Sequence, residues 1–141
     1  MSRCMRKLLC QGEIQSQLEA IHRVTADILR EAEQVGFKEE AVKDLRVALD
    51  EALANAVIHG NSNMSERRIK VRCFLHDHQA LEIRIRDQGP GFDMTYVPDP
   101  TVPENLLRPH GRGLFLISHH MDRVAFNRRG NEIRMWKKRS L

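Results

Sequence analysis

The chain predicts an α+β fold: a two-layer α/β sandwich in which a mixed, mostly antiparallel sheet is covered on one face by helices. Three observations carry that expectation. Two long stretches of helical apolar spacing fill the first part of the chain, short alternating stretches follow them, and turn signals join those stretches into consecutive hairpins.

Taken in order, residues 6–10 read as a first strand, residues 13–34 as a helix, and Gly36 as the turn that ends it. The second helix starts near Lys38, and Val42, Leu45, Leu49, Ala52, Leu53 and Ala56 recur at three- and four-residue steps, giving one buried face that runs on to His59. Strands follow at 67–75 and 81–86, with His76-Asp77-His78 at the hairpin turn between them. The second of these, Leu81-Glu-Ile-Arg-Ile-Arg86, alternates apolar and charged residues as a half-buried strand should. An extended loop runs from Gln88 to His110, rich in proline and without periodicity, and a helix is expected over 114–121. Strands at 124–127 and 132–137 close the fold as a hairpin about Arg129-Gly130. A chain of 141 residues is long enough for one domain with a real core, so 1–141 is read as a single domain.

Composition narrows the class. Hydrophobic residues at 41% and charged residues at 30% are those of a soluble globular protein, no apolar run reaches membrane-span length, and the first residues lack the pattern of a secretory signal. A cytoplasmic protein that does not enter a membrane is expected. Cys4, Cys10 and Cys73 show no C-x-x-C spacing, so reduced thiols are the default. His76 with His78 and His119 with His120 lack a supporting ligand cluster and read as exposed or locally bonded. The net charge is +4, crowded toward the C-terminal third, but aromatic content is only 5% and no nucleic-acid module is visible. Direct nucleic-acid binding is therefore not expected.

Three segments point to chemistry. Glu51 and Asn55 are four apart and so neighbours on one face of the second helix, where a carboxylate can take a proton and an amide oxygen can ligate Mg²⁺. A lone E-x-x-x-N more often marks a solvated face. Asp87 stands at a strand end before Gly89-Pro-Gly91, placed to accept a hydrogen bond from an exocyclic amine such as that of adenine. Gly111-Arg-Gly113 precedes the apolar run from Leu114, and glycines at a helix start expose backbone N–H groups to phosphate, with Arg108, His110 and Arg112 around them. Each segment alone is weak. Their order and spacing together describe a nucleotide site without a P-loop.

On these residues, and on the runs Ala48-Leu-Asp-Glu-Ala-Leu-Ala-Asn-Ala-Val-Ile-His-Gly60 and Arg112-Gly-Leu-Phe-Leu-Ile117, the chain resembles the GHKL ATPase superfamily. The likeness is strongest to bacterial anti-sigma factors that are also serine-protein kinases. It implies ATP and Mg²⁺ as cofactors, Glu51 as general base, Asn55 as magnesium ligand, and Asp87 as the adenine-reading carboxylate. It further implies Gly89, Gly91, Gly111, Gly113 and Leu114 in the nucleotide-contacting boxes, and an ATP lid over about 92–110 that carries Arg108 and His110. Arg23 resembles the arginine that faces a bound sigma factor, and the other implied partners are an anti-anti-sigma antagonist and a second copy of the chain. Where the family carries a threonine after a late glycine, this chain has Gly130 followed by Asn131 and Glu132. A docking-only switch of the same fold and a detached catalytic domain of a sensor histidine kinase are the alternatives. The presence of both Glu51 and Asn55 speaks against the first, and the lack of a phospho-acceptor helix and a sensor segment against the second.

Overall fold

The computed structural model describes residues 5–91 and 109–139. Its sheet has five strands, β1 (Arg6–Gln15), β2 (Arg68–His76), β3 (Ala80–Arg86), β4 (Arg123–Phe126) and β5 (Glu132–Lys138), in the order β1-β2-β3-β5-β4. Every pairing is antiparallel. Helices α1 (Leu18–Gln34), α2 (Glu39–Asn55) and α3 (Pro109–His120) complete the α+β sandwich.

The period of two in the strands decides which residues meet the helices. Ile69, Val71, Cys73 and Leu75 of β2, Leu81, Ile83 and Ile85 of β3, and Ile133 and Met135 of β5 are buried in one core with Ile28, Leu45, Leu49, Leu53 and Ile117 of the helices. The β2–β3 hairpin closes through Asp77 and His78, both with φ near +50 to +60°, as a type I′ turn requires at its two central residues.

Three boundaries differ from the sequence expectation, each for a physical reason. β1 runs on to Gln15, and α1 begins only at Leu18, because Gly12 and Ile14 continue the ladder opposite Val71 and Ile69. α2 does not continue as α-helix to His59. Residues Ala56–Gly60 form a π-helical turn, in which Asn61 N–H reaches back to Ala56 O at 2.8 Å. α3 starts at Pro109, not after the glycines, since proline's fixed φ suits the first helical position and its missing N–H loses nothing there. Gly111 and Gly113 thus lie within the helix.

Candidate functional site

The site is assembled where α2, the strand end of β3 and the early turns of α3 come together. Glu51 and Asn55 sit on α2, partly buried, with no hydrogen bond from either side chain among the described residues. Gly113 lies directly against them. A Cβ there would stand 2.9 Å from Asn55 Nδ2 and 3.4 Å from Glu51 Oε2, so any larger residue would displace the Asn55 carboxamide. A glycine inside a helix costs about 1 kcal/mol relative to alanine, a cost offset by the contact it permits.

The π-helical turn changes the row that sequence spacing predicted. Because an i→i+5 turn takes more residues than an α-turn, His59 falls out of line with Glu51 and Asn55, and its side chain is exposed. The same widening sets Gly60 against Asp87. A Cβ on Gly60 would strike Asp87 Oδ2, and one on Gly89 would strike the Gly60 carbonyl. Gly91, at φ +80°, packs on the Arg129 carbonyl with no room for a side chain.

Asp87 is the electrostatic centre of this corner. Its Oδ1 accepts a hydrogen bond from Gly89 N at 2.8 Å, while Oδ2 has no hydrogen-bond partner among the described residues. Burial pushes its carboxyl above the usual aspartate value of 3.8, outweighing the opposing pull of the Gly89 N–H, Arg67 and Arg129. It is thus a half-buried carboxylate with unused acceptor capacity. A donor that fills it would relieve the desolvation.

Asn131, which stands where the family carries a threonine, and two residues that the motifs did not single out, Asn127 and Asn61, hold the Asp87 segment in place. Asp87 N donates to Asn131 O at 2.9 Å, and Asn131 Nδ2 reaches Asp87 O at 3.4 Å. Asn131 Oδ1 in turn accepts from Asn127 Nδ2 at 2.7 Å, while Asn127 Oδ1 collects the N–H groups of Gly130, Asn131 and Glu132. On the other side, fully buried Asn61 accepts from Gln88 N at 2.8 Å and donates to Arg68 O at 3.2 Å. An asparagine opening an Arg-Arg-Gly turn was a readable signal for the first clamp. Asn61 follows a glycine at the end of a helical run and carries no sequence signal of its clamping role.

The remaining expected site residues are distributed as follows. Leu114 is buried, so its side chain packs and does not face open space. Arg108 and nearly all of the expected lid, residues 92–108, lie outside the described residues. For His110, Gly111 and Arg112 the helical backbone is described and the side chains are not. Arg23 is exposed on α1. The histidines away from the site have local duties: His76 meets Glu82 at 2.6 Å and His120 meets Asp44 at 2.9 Å.

Residues 14–137 match the histidine kinase-like ATPase domain. The chain belongs to that family. Among curated proteins it is 35% identical over 102 residues to the serine-protein kinase RsbW of Oceanobacillus iheyensis, covering 68% of this chain and 64% of that protein. It is 33% identical over 99 residues to RsbW of Listeria monocytogenes, covering 66% of this chain and 62% of the relative. The chain therefore spans somewhat under two thirds of the length of these relatives. A crystal structure of the RsbU and RsbW domains of a Mycobacterium tuberculosis protein has the same fold, with a TM-score of 0.62 at 16% identity over 94% of this chain and 32% of the other. Family membership bears out the recognition made from Glu51, Asn55, Asp87 and the glycine pairs. Among the described residues no helix is long and apolar enough to cross a membrane.

Proposed function

We propose that this protein is an ATP- and Mg²⁺-dependent serine-protein kinase and anti-sigma factor, one that sequesters a sigma factor and phosphorylates a serine of an anti-anti-sigma antagonist. The observation that carries the reading is the meeting of Gly113 with both Glu51 and Asn55. Backbone from the glycine-bearing helix, a carboxylate and a carboxamide converge at one point, which is what phosphoryl transfer to a hydroxyl requires of a protein. The similarity to proteins named serine-protein kinase RsbW supports the choice of serine as acceptor.

The residues present fit the groups that the reading needs. Gly60, Gly89 and Gly91 leave no room for a Cβ, so bare backbone lines the corner, and Asp87 Oδ2 is left to accept from the adenine amine. Asn55 would hold Mg²⁺ through its amide oxygen, and the bound ion would neutralise charge on the phosphates. Glu51 takes the proton of the attacking serine hydroxyl as its oxygen bonds to the γ-phosphorus and the bond to the β–γ bridging oxygen breaks, leaving ADP. Lid residues Arg108 and His110, with Arg112, are assigned to the charge on the transferred group. Phosphoserine then carries charge into an interface shaped for a hydroxyl, and the antagonist dissociates. The kinase returns to its sigma factor.

Transfer of labelled γ-phosphate from ATP to a purified antagonist tests the reading. Glu51→Gln is expected to keep nucleotide binding and to slow single-turnover transfer by about 10²–10⁴-fold. Transfer at the unaltered rate would remove Glu51 from the chemistry, and absence of transfer by the wild-type chain would favour a protein that acts by docking alone.

A further inference from the structure

Cys10 and Cys73 face each other at the edge of the sheet. They are direct register partners between β1 and β2. Opposed residues of an antiparallel pair have Cα atoms about 4.5–5.5 Å apart, within the ~4.4–6.8 Å span that a disulfide bridges. Both side chains lie on the helix-covered face, where Cys73 is part of the core and Cys10 packs against it. β1 is the outermost strand, which leaves Cys10 only half-buried while Cys73 is enclosed.

We propose that Cys10 and Cys73 form a peroxide-sensitive dithiol site, in which Cys10 is oxidised first and Cys73 resolves it to an intrachain disulfide. The order follows from access, because Cys10 on the edge strand is half-buried and Cys73 is enclosed. The neighbouring Cys73 lowers the Cys10 thiol below its ordinary value, against burial and the negative charges of Glu31 and Asp27. The neighbouring Cys10 and burial push the Cys73 thiol up, so it stays protonated. In the first step the Cys10 thiolate attacks one oxygen of a hydroperoxide. The O–O bond breaks, Cys10 becomes a sulfenic acid, and the departing alkoxide or hydroxide takes up the proton that Cys10 had released. In the second step the Cys73 sulfur displaces the sulfenic oxygen, which leaves as water with the Cys73 proton, and the S–S bond forms. The peroxide is reduced by two electrons and the thiol pair is oxidised by two.

The crosslink closes a loop containing the whole of α1 and α2, and with them Arg23, Glu51 and Asn55. Joining distant points of the chain restricts the unfolded state, and this staple would fix the edge strand to its neighbour beneath α1. The strand pairing is already in place, so the bond forms without rebuilding the sheet.

The test treats the reduced full chain with stoichiometric hydrogen peroxide, alkylates remaining thiols under denaturing conditions, and maps the digest by mass spectrometry. The expected product is a Cys10–Cys73 linked peptide, lighter than the two reduced peptides by two hydrogen atoms. The oxidised chain should melt about 5 °C or more above the reduced chain, and dithiothreitol should abolish the difference. In Cys73→Ala, dimedone should trap a sulfenic acid at Cys10, whereas Cys10→Ser should leave Cys73 fully alkylatable after peroxide. Linkage of Cys10 to Cys4, or a Cys73 that stays fully alkylatable once wild-type Cys10 is oxidised, overturns the proposal. The wild-type map decides even if Cys73→Ala fails to fold.

Discussion

Asp87 carries opposite demands for stability and for binding. Burial raises its carboxyl above the ordinary 3.8, so the folded state binds a proton more readily than the unfolded one. By linkage, stability falls as pH rises from the unfolded value through the raised folded value, and at neutral pH the charged carboxylate remains a burden on the free protein. Asp87→Asn is therefore expected to raise the melting temperature of the nucleotide-free protein at pH 7, with the gain vanishing in acid where the wild-type carboxyl is protonated. The same change should weaken ATP binding by ~1–3 kcal/mol, because the amide mismatches the adenine amine in a partly buried corner, and should erode preference over GTP. Paired thermal melts and calorimetry check both signs. Unchanged ATP affinity would take Asp87 out of the nucleotide site. Asp87 stood out in the sequence only together with the Glu51-Asn55 pair and the later glycines, since an aspartate before a glycine turn is common by itself. The Asn127 turn was readable by itself, but its reach through Asn131 to Asp87 was not, since that depends on a β4–β5 turn meeting a β3 end more than forty residues away.

Elements were readable wherever a single periodicity ruled. α2 shows this, because Val42, Leu45, Leu49, Ala52 and Leu53 fit the helical step and are buried as that step requires. β1 was misjudged in length because Ile14, Leu18 and Ile21 satisfy helical spacing while Cys10, Gly12 and Ile14 also alternate. Pairing with β2 decided it, and Leu18 is left 55% exposed at the helix start. The π-helical turn has no sequence signature, since it changes hydrogen-bond partners without changing residue classes. The sequence pattern places the start of α3 after the two glycines, whereas the helix begins at Pro109 and carries Gly113 against α2. That contact makes a prediction. Gly113→Ala should leave the melting temperature unchanged or higher, since alanine gains about 1 kcal/mol of helix propensity. It should also lower Mg²⁺-dependent ATP affinity by about tenfold or more, because the new Cβ, 2.9 Å from Asn55 Nδ2, forces the carboxamide to move. Calorimetry with and without Mg²⁺ separates the two effects. Full Mg²⁺-dependent affinity in the alanine variant would show that the closeness of the helices has no bearing on the nucleotide.

At the scale of the whole molecule, the helix layer and the bare side of the sheet do different work. On the bare side the guanidinium carbons of Arg6 and Arg84 lie 4.4 and 5.0 Å from the Phe74 ring centroid, and buried Glu82 is bonded by Arg84 and His76 at 2.6 Å each. Burial alone would raise the Glu82 carboxyl, but those two partners hold it below its ordinary range. Its contribution to stability is present above the unfolded value of 4.5 and is lost as pH falls through the lowered one. The candidate nucleotide site lies instead between α2, α3 and the ends of β3 and β5, while Arg23 stands exposed on α1 and belongs to none of these contacts. On the proposed function, binding of protein and binding of nucleotide should therefore be separable by mutation. Arg23→Ala is expected to weaken sigma-factor binding by more than ~2 kcal/mol while leaving ATP affinity intact, since arginine is among the residues whose truncation at an interface centre is most damaging. Arg23→Glu should weaken it further, because a reversed charge adds repulsion to the missing contact. Both titrations must be run on each variant. Loss of sigma-factor binding with normal ATP affinity places the partner surface on α1, and loss of both reports damage to the helix. Normal sigma-factor binding by Arg23→Glu would mean that the arginine is only solvated and that the partner docks elsewhere.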